Sequence, residues 1–133
     1  MRDRYLCKAK RTDNGEWVEG YIVEYPSGKM EIYKKAIEVL CICEVDPSTI
    51  CQCTGLTDKN SKKIWENDIV KTYEASSKEY LTNIVKYYKG SFKVLKEHYL
   101  SMYIGGYELK DLEVIGNVFD NPELLEGEEK QNG

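Results

Sequence analysis

Short segments in which apolar and polar residues alternate run through most of the chain, and many of their apolar positions are β-branched or aromatic. A period of two indicates strands buried on one face, whereas a helix would repeat every three or four residues. Eleven tyrosines support this interpretation, because a tyrosine ring packs on a half-buried strand while its hydroxyl reaches water. The pattern predicts a mainly β fold, α+β at most.

The first 50 residues are predicted to form an N-terminal antiparallel meander. Turns at Asp13–Gly15 and Pro26–Gly28 separate its first strands, because Asn, Pro and Gly favour turn conformations. Asp46–Thr49 ends the meander, since Pro47 lacks a backbone donor and holds the preceding residue extended. The expected strands are 4–10, 16–25, 29–35 and, with weaker alternation, 37–45.

Residues 51–120 predict a second β-rich unit. Several short strands at regular spacing with tight turns are typical of a small barrel, here of SH3-like size. One short C-terminal helix should follow, because Asn121 can cap it and Pro122 suits its first position. Residues 121–133 are thus predicted to be this helix and a disordered acidic tail. The expected strands of the second unit are 68–73, 80–89, 91–96, 99–104 and 112–119.

The charge balance argues against a general nucleic-acid binder. The chain has 19 Lys and Arg against 23 Asp and Glu, whereas such binders gather basic residues to displace counterions from phosphate. The segment from Asp120 onward carries the whole net negative charge, so the rest of the chain is close to neutral and the objection is weaker there. The longest apolar run, Val39–Cys43, is far short of the roughly 20 residues that cross a bilayer, so no membrane association is expected.

The chain has five cysteines, which are potential ligands of a zinc ion. Cys41 and Cys43 form one pair and Cys51 and Cys53 another, and four thiolates could surround one ion. Alternate residues of a strand, however, hold their side chains about 6.5–7 Å apart, which is too far for one tetrahedral site. We interpret the cysteines as small buried apolar residues, reduced in a cytoplasmic compartment. No metal or other cofactor is predicted.

His98 is the single histidine, so a nucleophile–histidine pair would have to use it. It lies in a polar corner between expected strands, and no activated-nucleophile motif accompanies it. A solvated histidine is the better interpretation, and the sequence predicts no enzyme.

Two basic clusters keep nucleic-acid binding open as an alternative. Together with surface tyrosines they could hold single-stranded nucleic acid by charge and stacking. The interpretation that we favour is a solvated strand face that also protects a sheet edge. The candidate patch consists of Arg2, Arg4, Lys8, Lys10, Arg11, Lys59, Lys62 and Lys63.

The segment Gln52–Val70, with Thr-Gly-Leu-Thr-Asp-Lys-Asn at its start and Ile-Trp-Glu-Asn-Asp-Ile-Val at its end, resembles the signature of the YopX family of phage and prophage proteins. Trp17–Gly20 and Val114–Leu125 match two further parts of the family pattern in order. The resemblance implies a β-rich fold with an SH3-like barrel, self-assembly of several chains, and no established activity. The signature residues are Trp17, Gly20, Gln52, Thr54, Gly55, Leu56, Asp58, Lys59, Asn60, Ile64, Trp65, Asp68, Ile69, Val70, Ile115, Gly116, Asn117, Asn121 and Pro122.

Three departures from the family pattern are informative. Ser61 and Asn67 stand where the family favours glycine; Asn visits the left-handed region at modest cost, whereas Ser61 predicts an altered or strained hairpin tip. Cys53 stands where the family has Tyr or Phe, which favours burial. We therefore expect the signature to shape the fold. The expected protein is a phage- or prophage-derived accessory protein of a bacterial cytoplasm, a homo-oligomer with a host or phage protein partner.

Overall fold

The computed structural model describes residues 5–35, 40–74, 78–88, 90–96, 99–103 and 112–125. Within these ranges the predicted mainly β fold is confirmed, with eleven strands in antiparallel sheets. The chain divides into two compact units, Met1–Cys53 and Thr54–Gly133. The strands are β1 Cys7–Lys10, β2 Trp17–Glu24, β3 Met30–Lys35, β4 Leu40–Val45, β5 Cys51–Thr57, β6 Lys63–Trp65, β7 Asp68–Glu74, β8 Glu79–Tyr88, β9 Ser91–Lys96, β10 Tyr99–Tyr103 and β11 Glu113–Asn117.

In the first unit the strands lie in the order β4-β3-β2-β1-β5. Ala9 pairs with Val18 and Ile22 with Ile32, so that apolar residues of successive strands meet on one face. Together with Val45 these side chains form the core of the unit. The break predicted at Asp46–Thr49 is a 3-10 turn, which the Asp46 side chain caps by accepting from the Ser48 N–H.

In the second unit β10-β9-β8-β7-β11 form one sheet, and β5 and β6 form a hairpin. Its core is a separate cluster of apolar side chains from β6 to β11 and the residue before β11. Closure of these strands into an SH3-like barrel stays a prediction. The buried members of the cluster are Ile64, Val70, Val85, Val94, Leu112 and Val114.

The boundaries of most strands follow the alternating pattern, but β5 has no counterpart in the sequence analysis. Its apolar positions are interrupted by Gln52, Thr54 and Gly55, which hide the period of two. The predicted C-terminal helix is present as one turn over residues 123–125. Arg2, Arg4, His98 and the predicted tail 127–133 lie outside the described residues. None of the helices that the structure describes is long and apolar enough to span a membrane.

Candidate functional site

Asp58, the acid at the start of the β5–β6 turn, joins three backbone amides in the second unit. One carboxylate oxygen, Oδ1, accepts from Asn60 N at 2.8 Å and Lys62 N at 2.9 Å, and Oδ2 accepts from Val114 N at 2.9 Å. Burial raises the pKa of Asp58, but these amide donors outweigh it and hold the pKa below its ordinary value. Such a carboxylate is ionised and held by three backbone amides, so it serves as a structural link and is poorly suited to proton transfer.

The rest of the β5–β6 hairpin is shaped by local backbone geometry. Thr54 Oγ1 donates to Ile64 O at 2.8 Å and accepts from Leu56 N at 3.2 Å. Gly55 has φ +86° and Ser61 has φ +64°. The left-handed region suits glycine and is uncommon for serine, so Ser61 carries the strain that the sequence predicted at this tip.

A second turn of the signature connects β6 to β7. Asn67 has φ +73°, as expected for an asparagine in place of a family glycine. Asp68 Oδ2 accepts from Trp65 N at 2.8 Å, and the Asn67 side-chain oxygen accepts from Lys86 Nζ at 2.6 Å. The polar groups of this turn are therefore engaged in holding backbone and neighbouring strands.

The C-terminal signature forms a turn in which Gly116 faces Asn121. A Cβ atom at Gly116 would lie 2.5 Å from Asn121 Oδ1. That oxygen accepts from Asn117 N at 3.2 Å, while Asn117 Oδ1 accepts from Phe119 N at 3.0 Å. Glycine is required here because the asparagine side chain occupies the space of a methyl group.

The remaining signature residues are divided between core and surface. Trp17 has Lys8 Nζ 4.7 Å and Lys10 Nζ 5.4 Å from its ring centroid. Gly20 allows close strand packing, since a Cβ there would collide with the backbone oxygen of Tyr33. Buried in the second unit are Ile64, Trp65, Ile69 and Val70; partly buried are Leu56 and Ile115; exposed are Gln52, Lys59, Asn60 and Pro122.

The cysteines do not gather into one cluster. Cys41 and Cys43 lie on β4, while Cys51 and Cys53 lie on β5, and three strands stand between β4 and β5 in the sheet. Cys51 and Cys53 are fully buried. Among the residues that the structure describes, no three His, Cys, Asp or Glu side chains converge as metal ligands.

The candidate basic patch is split between the two units. Lys8, Lys10 and Arg11 belong to the first unit, and Lys59, Lys62 and Lys63 to the second. Arg11 makes a 2.7 Å ion pair with Asp13, and Lys59 lies 3.5 Å from a Glu113 carboxylate oxygen. Part of the predicted positive charge is therefore already balanced within each unit.

A row of large side chains crosses the outer face of the first sheet. Tyr21 on β2 pairs with Tyr33 on β3, which pairs with Ile42 on β4. Tyr21 is 50% exposed and Ile42 is 49% exposed. The row ends on β4, the first strand in the order of this sheet.

The second unit presents a face that the sequence analysis missed, formed by alternate residues of β7, β8 and β9. The cross-strand registers Tyr73–Tyr80 and Lys86–Lys93 place their side chains on it. The available signal was the lysines and tyrosines at alternate positions of β7 and at the end of β8, but the face depends on how the strands pair. We call it the Lys–Tyr face, and it comprises Lys71, Tyr73, Tyr80, Lys86, Tyr88 and Lys93.

This architecture is similar to that of known proteins. No curated protein matches the chain. Among solved structures, protein yopX from Bacillus subtilis has 21% identity and a TM-score of 0.64, covering 91% of this chain and 98% of that one. Protein EF1440 from Enterococcus faecalis has 23% identity and a TM-score of 0.54, covering 90% of this chain and 96% of that one. These likenesses show the fold. Because residues 8–126 match the family described as YopX protein, this chain belongs to the YopX family.

Proposed function

We propose that this protein is a non-enzymatic accessory protein of phage or prophage origin that works by self-assembly, with strand β4 pairing with β4 of a second copy. The assembled form then presents its surfaces to a host or phage protein partner. The observation that carries the proposal is the outer edge of β4 at Ile42, an exposed apolar residue whose backbone groups are paired with no strand within the described ranges.

The backbone of β4 has two sides. One side pairs with β3 along the whole strand. On the other side Glu44 O accepts from Thr12 N at 3.1 Å, so the backbone groups of Glu44 point away from β3. Along an antiparallel strand the backbone N–H and C=O groups of successive residues point to opposite sides. The backbone groups of Ile42, two residues before Glu44, therefore also point away from β3. Within the described ranges, no strand pairs with Ile42 on that side.

The side chains of β4 also favour pairing. The segment Leu40–Cys43 contains none of the charged residues or prolines that natural sheets use to protect an edge, and the single charge of β4, Glu44, lies beyond it. Ile42 is 49% exposed, and it continues the row of Tyr21 and Tyr33. Aromatic and apolar side chains of this kind are enriched at the centres of interfaces.

A symmetric antiparallel pair of β4 strands can be centred on Ile42, with pairing confined to Cys41–Cys43, because Thr12 N already binds Glu44 O and Arg11 pairs with Val45 on this edge. Each Ile42 would then exchange two backbone hydrogen bonds with Ile42 of the second copy, at a Cα separation of about 5.5 Å. Cys41 would lie opposite Cys43 of the second copy. This is the isologous arrangement expected of a two-fold dimer.

Two further features support a non-enzymatic role in a bacterial cytoplasm. The carboxylates of Asp58 and Asp68 are engaged by backbone amides and are thereby occupied by the fold. Cys41 and Cys43 on β4 are thiols, which fits a reducing compartment.

The test is the mass in solution of the full chain, measured by size-exclusion chromatography with light scattering at micromolar concentration. We expect a multiple of 15.4 kDa for the wild type and a monomer for Ile42→Lys, because a charge on the edge blocks pairing. Tyr87→Lys is the matched control, since Tyr87 is 52% exposed and lies in the second unit. A monomeric wild type, or an unchanged mass for a folded Ile42→Lys variant, would refute the proposal.

A further inference from the structure

We infer that the Lys–Tyr face of the second unit binds single-stranded nucleic acid. This function goes beyond self-assembly and uses a different unit of the chain, so the two proposals succeed or fail separately.

One side of β8 carries Tyr80, Thr82, Ile84, Lys86 and Tyr88. Tyr80 and Tyr88, which are 60% and 45% exposed, lie at the two ends of this run. From Tyr80 to Tyr88 the strand extends about 26 Å at roughly 3.3 Å per residue. A surface of this length accommodates several nucleotides.

The best-defined part of the face is the aromatic pair at its β7–β8 end. Tyr73 and Tyr80 are 38% and 60% exposed, and their ring centroids are 5.2 Å apart at an interplanar angle of 55°. Lys71 Nζ lies 4.8 Å from the Tyr80 centroid. A flat ring that is open to solvent and flanked by a cation offers both a stacking surface for a base and a charge for its phosphate.

The other end of the face concentrates positive charge. Lys86 and Lys93 lie directly opposite each other on β8 and β9, an arrangement of like charges that costs stability. Lys86 is partly exposed, and its Nζ donates to the neutral Asn67 Oδ1 at 2.6 Å. Lys93 is buried, with 8% exposure, and its Nζ donates to Tyr88 O at 2.8 Å, so Lys86 is the lysine of this pair that a ligand can reach.

Acidic side chains are sparse on this face. On β7, β8 and β9, the residues described on the same side as Lys71 are Ile, Lys, Tyr, Thr and Ser. Two neighbouring acids are Glu113 on β11, which lies opposite Lys71 and 3.5 Å from Lys59 Nζ, and Glu79, which precedes Tyr80 and lies on the other side of β8. Charge complementarity therefore favours a polyanion.

A single strand fits this surface better than a duplex or an acidic peptide. A duplex hides its bases in its own stack, so exposed tyrosine rings would gain nothing from it. An acidic peptide would satisfy the lysines but has no planar groups for Tyr73 and Tyr80. Single-stranded nucleic acid uses both kinds of side chain.

The test is fluorescence anisotropy of the full chain with a labelled twelve-nucleotide oligo-dT, at about 50 mM and about 200 mM salt. Loss of one stacked base should weaken binding about 5- to 100-fold in Tyr80→Ala. In Lys71→Ala the slope of log affinity against log salt should fall by about 0.7, since one phosphate contact is lost. Tyr80→Phe keeps the ring and should bind as the wild type does.

Two matched variants separate this face from other surfaces. Tyr87→Ala removes a similarly exposed tyrosine from the opposite side of β8, and Lys62→Ala removes an exposed lysine from the hairpin tip. Both should bind the oligonucleotide within about twofold of the wild type. Circular dichroism confirms that each variant is folded.

Any of four results would overturn the inference. They are no binding at the lower salt concentration, equal affinity for the wild type and folded Tyr80→Ala, equal loss in Lys62→Ala and Lys71→Ala, or displacement of the oligonucleotide by polyglutamate of the same charge as readily as by unlabelled oligo-dT. The last result would assign the face to an acidic protein partner.

Discussion

Asp58 Oδ2 accepts a hydrogen bond from the backbone N–H of Val114, 56 residues further along the chain, at 2.9 Å. A parallel link runs from Lys59 N to Leu112 O at 3.0 Å. The tip of the β5–β6 hairpin is thereby attached to the start of β11, next to the core residues Leu112 and Val114. The most recognisable acid of the family signature thus holds together two distant segments of one unit.

Replacement of Asp58 by Asn should destabilise the protein by about 2–4 kcal/mol, because hydrogen bonds to a charged group are worth roughly 1.5–3 kcal/mol each. The amide of Asn would place its own N–H groups against backbone donors. Urea unfolding followed by circular dichroism measures the change. Asp13→Asn is the control, since Asp13 is exposed and its ion pair with Arg11 lies at the surface, where such pairs contribute little to stability.

The contribution of Asp58 should also depend on pH. Its folded-state pKa is lowered, so its contribution is complete above the unfolded-state pKa of about 3.9 and is lost as the pH falls through the folded-state value. The difference in unfolding free energy between wild type and Asp58→Asn should therefore narrow from pH 6 towards pH 2. A constant difference over that range would contradict this account.

Gly116 and Asn121 should behave as a coupled pair. Gly116→Ala places a methyl group 2.5 Å from Asn121 Oδ1 and should cost about 1–3 kcal/mol as an overpacked site. Asn121→Gly removes the obstructing atoms, so Gly116→Ala should cost much less in that background. A thermal-unfolding double-mutant cycle measures the coupling, and additive effects would show that the clash is not the cause.

The exposed Cys41 gives a direct report on the proposed β4 pairing. In the antiparallel arrangement Cys41 and Cys43 of a second copy form a non-hydrogen-bonded pair with a Cα separation of about 4.5 Å, which lies within the range of disulfides. Mild oxidation should therefore give a covalent dimer on a non-reducing gel. Cys41→Ser should abolish the dimer and Cys7→Ser should not. A dimer that survives Cys41→Ser would place the contact elsewhere.

The local pattern of apolar and polar residues was sufficient to predict much of the fold. The expected strand 91–96 coincides with β9, Ser91–Lys96, because Phe92 and Val94 alternate with polar residues and Gly90 begins the segment. The left-handed turn at Asn67 followed from the family resemblance, which favours glycine at this position, and from the tolerance of asparagine for that conformation. Such features depend on neighbours along the chain, which the sequence displays.

Features that depend on contacts between distant segments of the chain could not be predicted from the local sequence pattern. Strand β5 reads as an irregular polar segment, and its pairing with β1 decides its conformation. The link between Asp58 and Val114 spans 56 positions and arises only when the hairpin meets β11. The Lys–Tyr face likewise requires the register that places Tyr73 opposite Tyr80.

Strand β5 has a consequence for how this gene can be rearranged. Its residues Cys51 and Gln52 pair with β1 in the first unit, while Thr54 holds β6 in the second. The junction between the units thus falls inside a single strand, with no linker. Recombination that exchanged halves between relatives at this junction would join two mismatched strand segments, whereas a crossover in the preceding Asp46–Thr49 turn would transmit the strand intact.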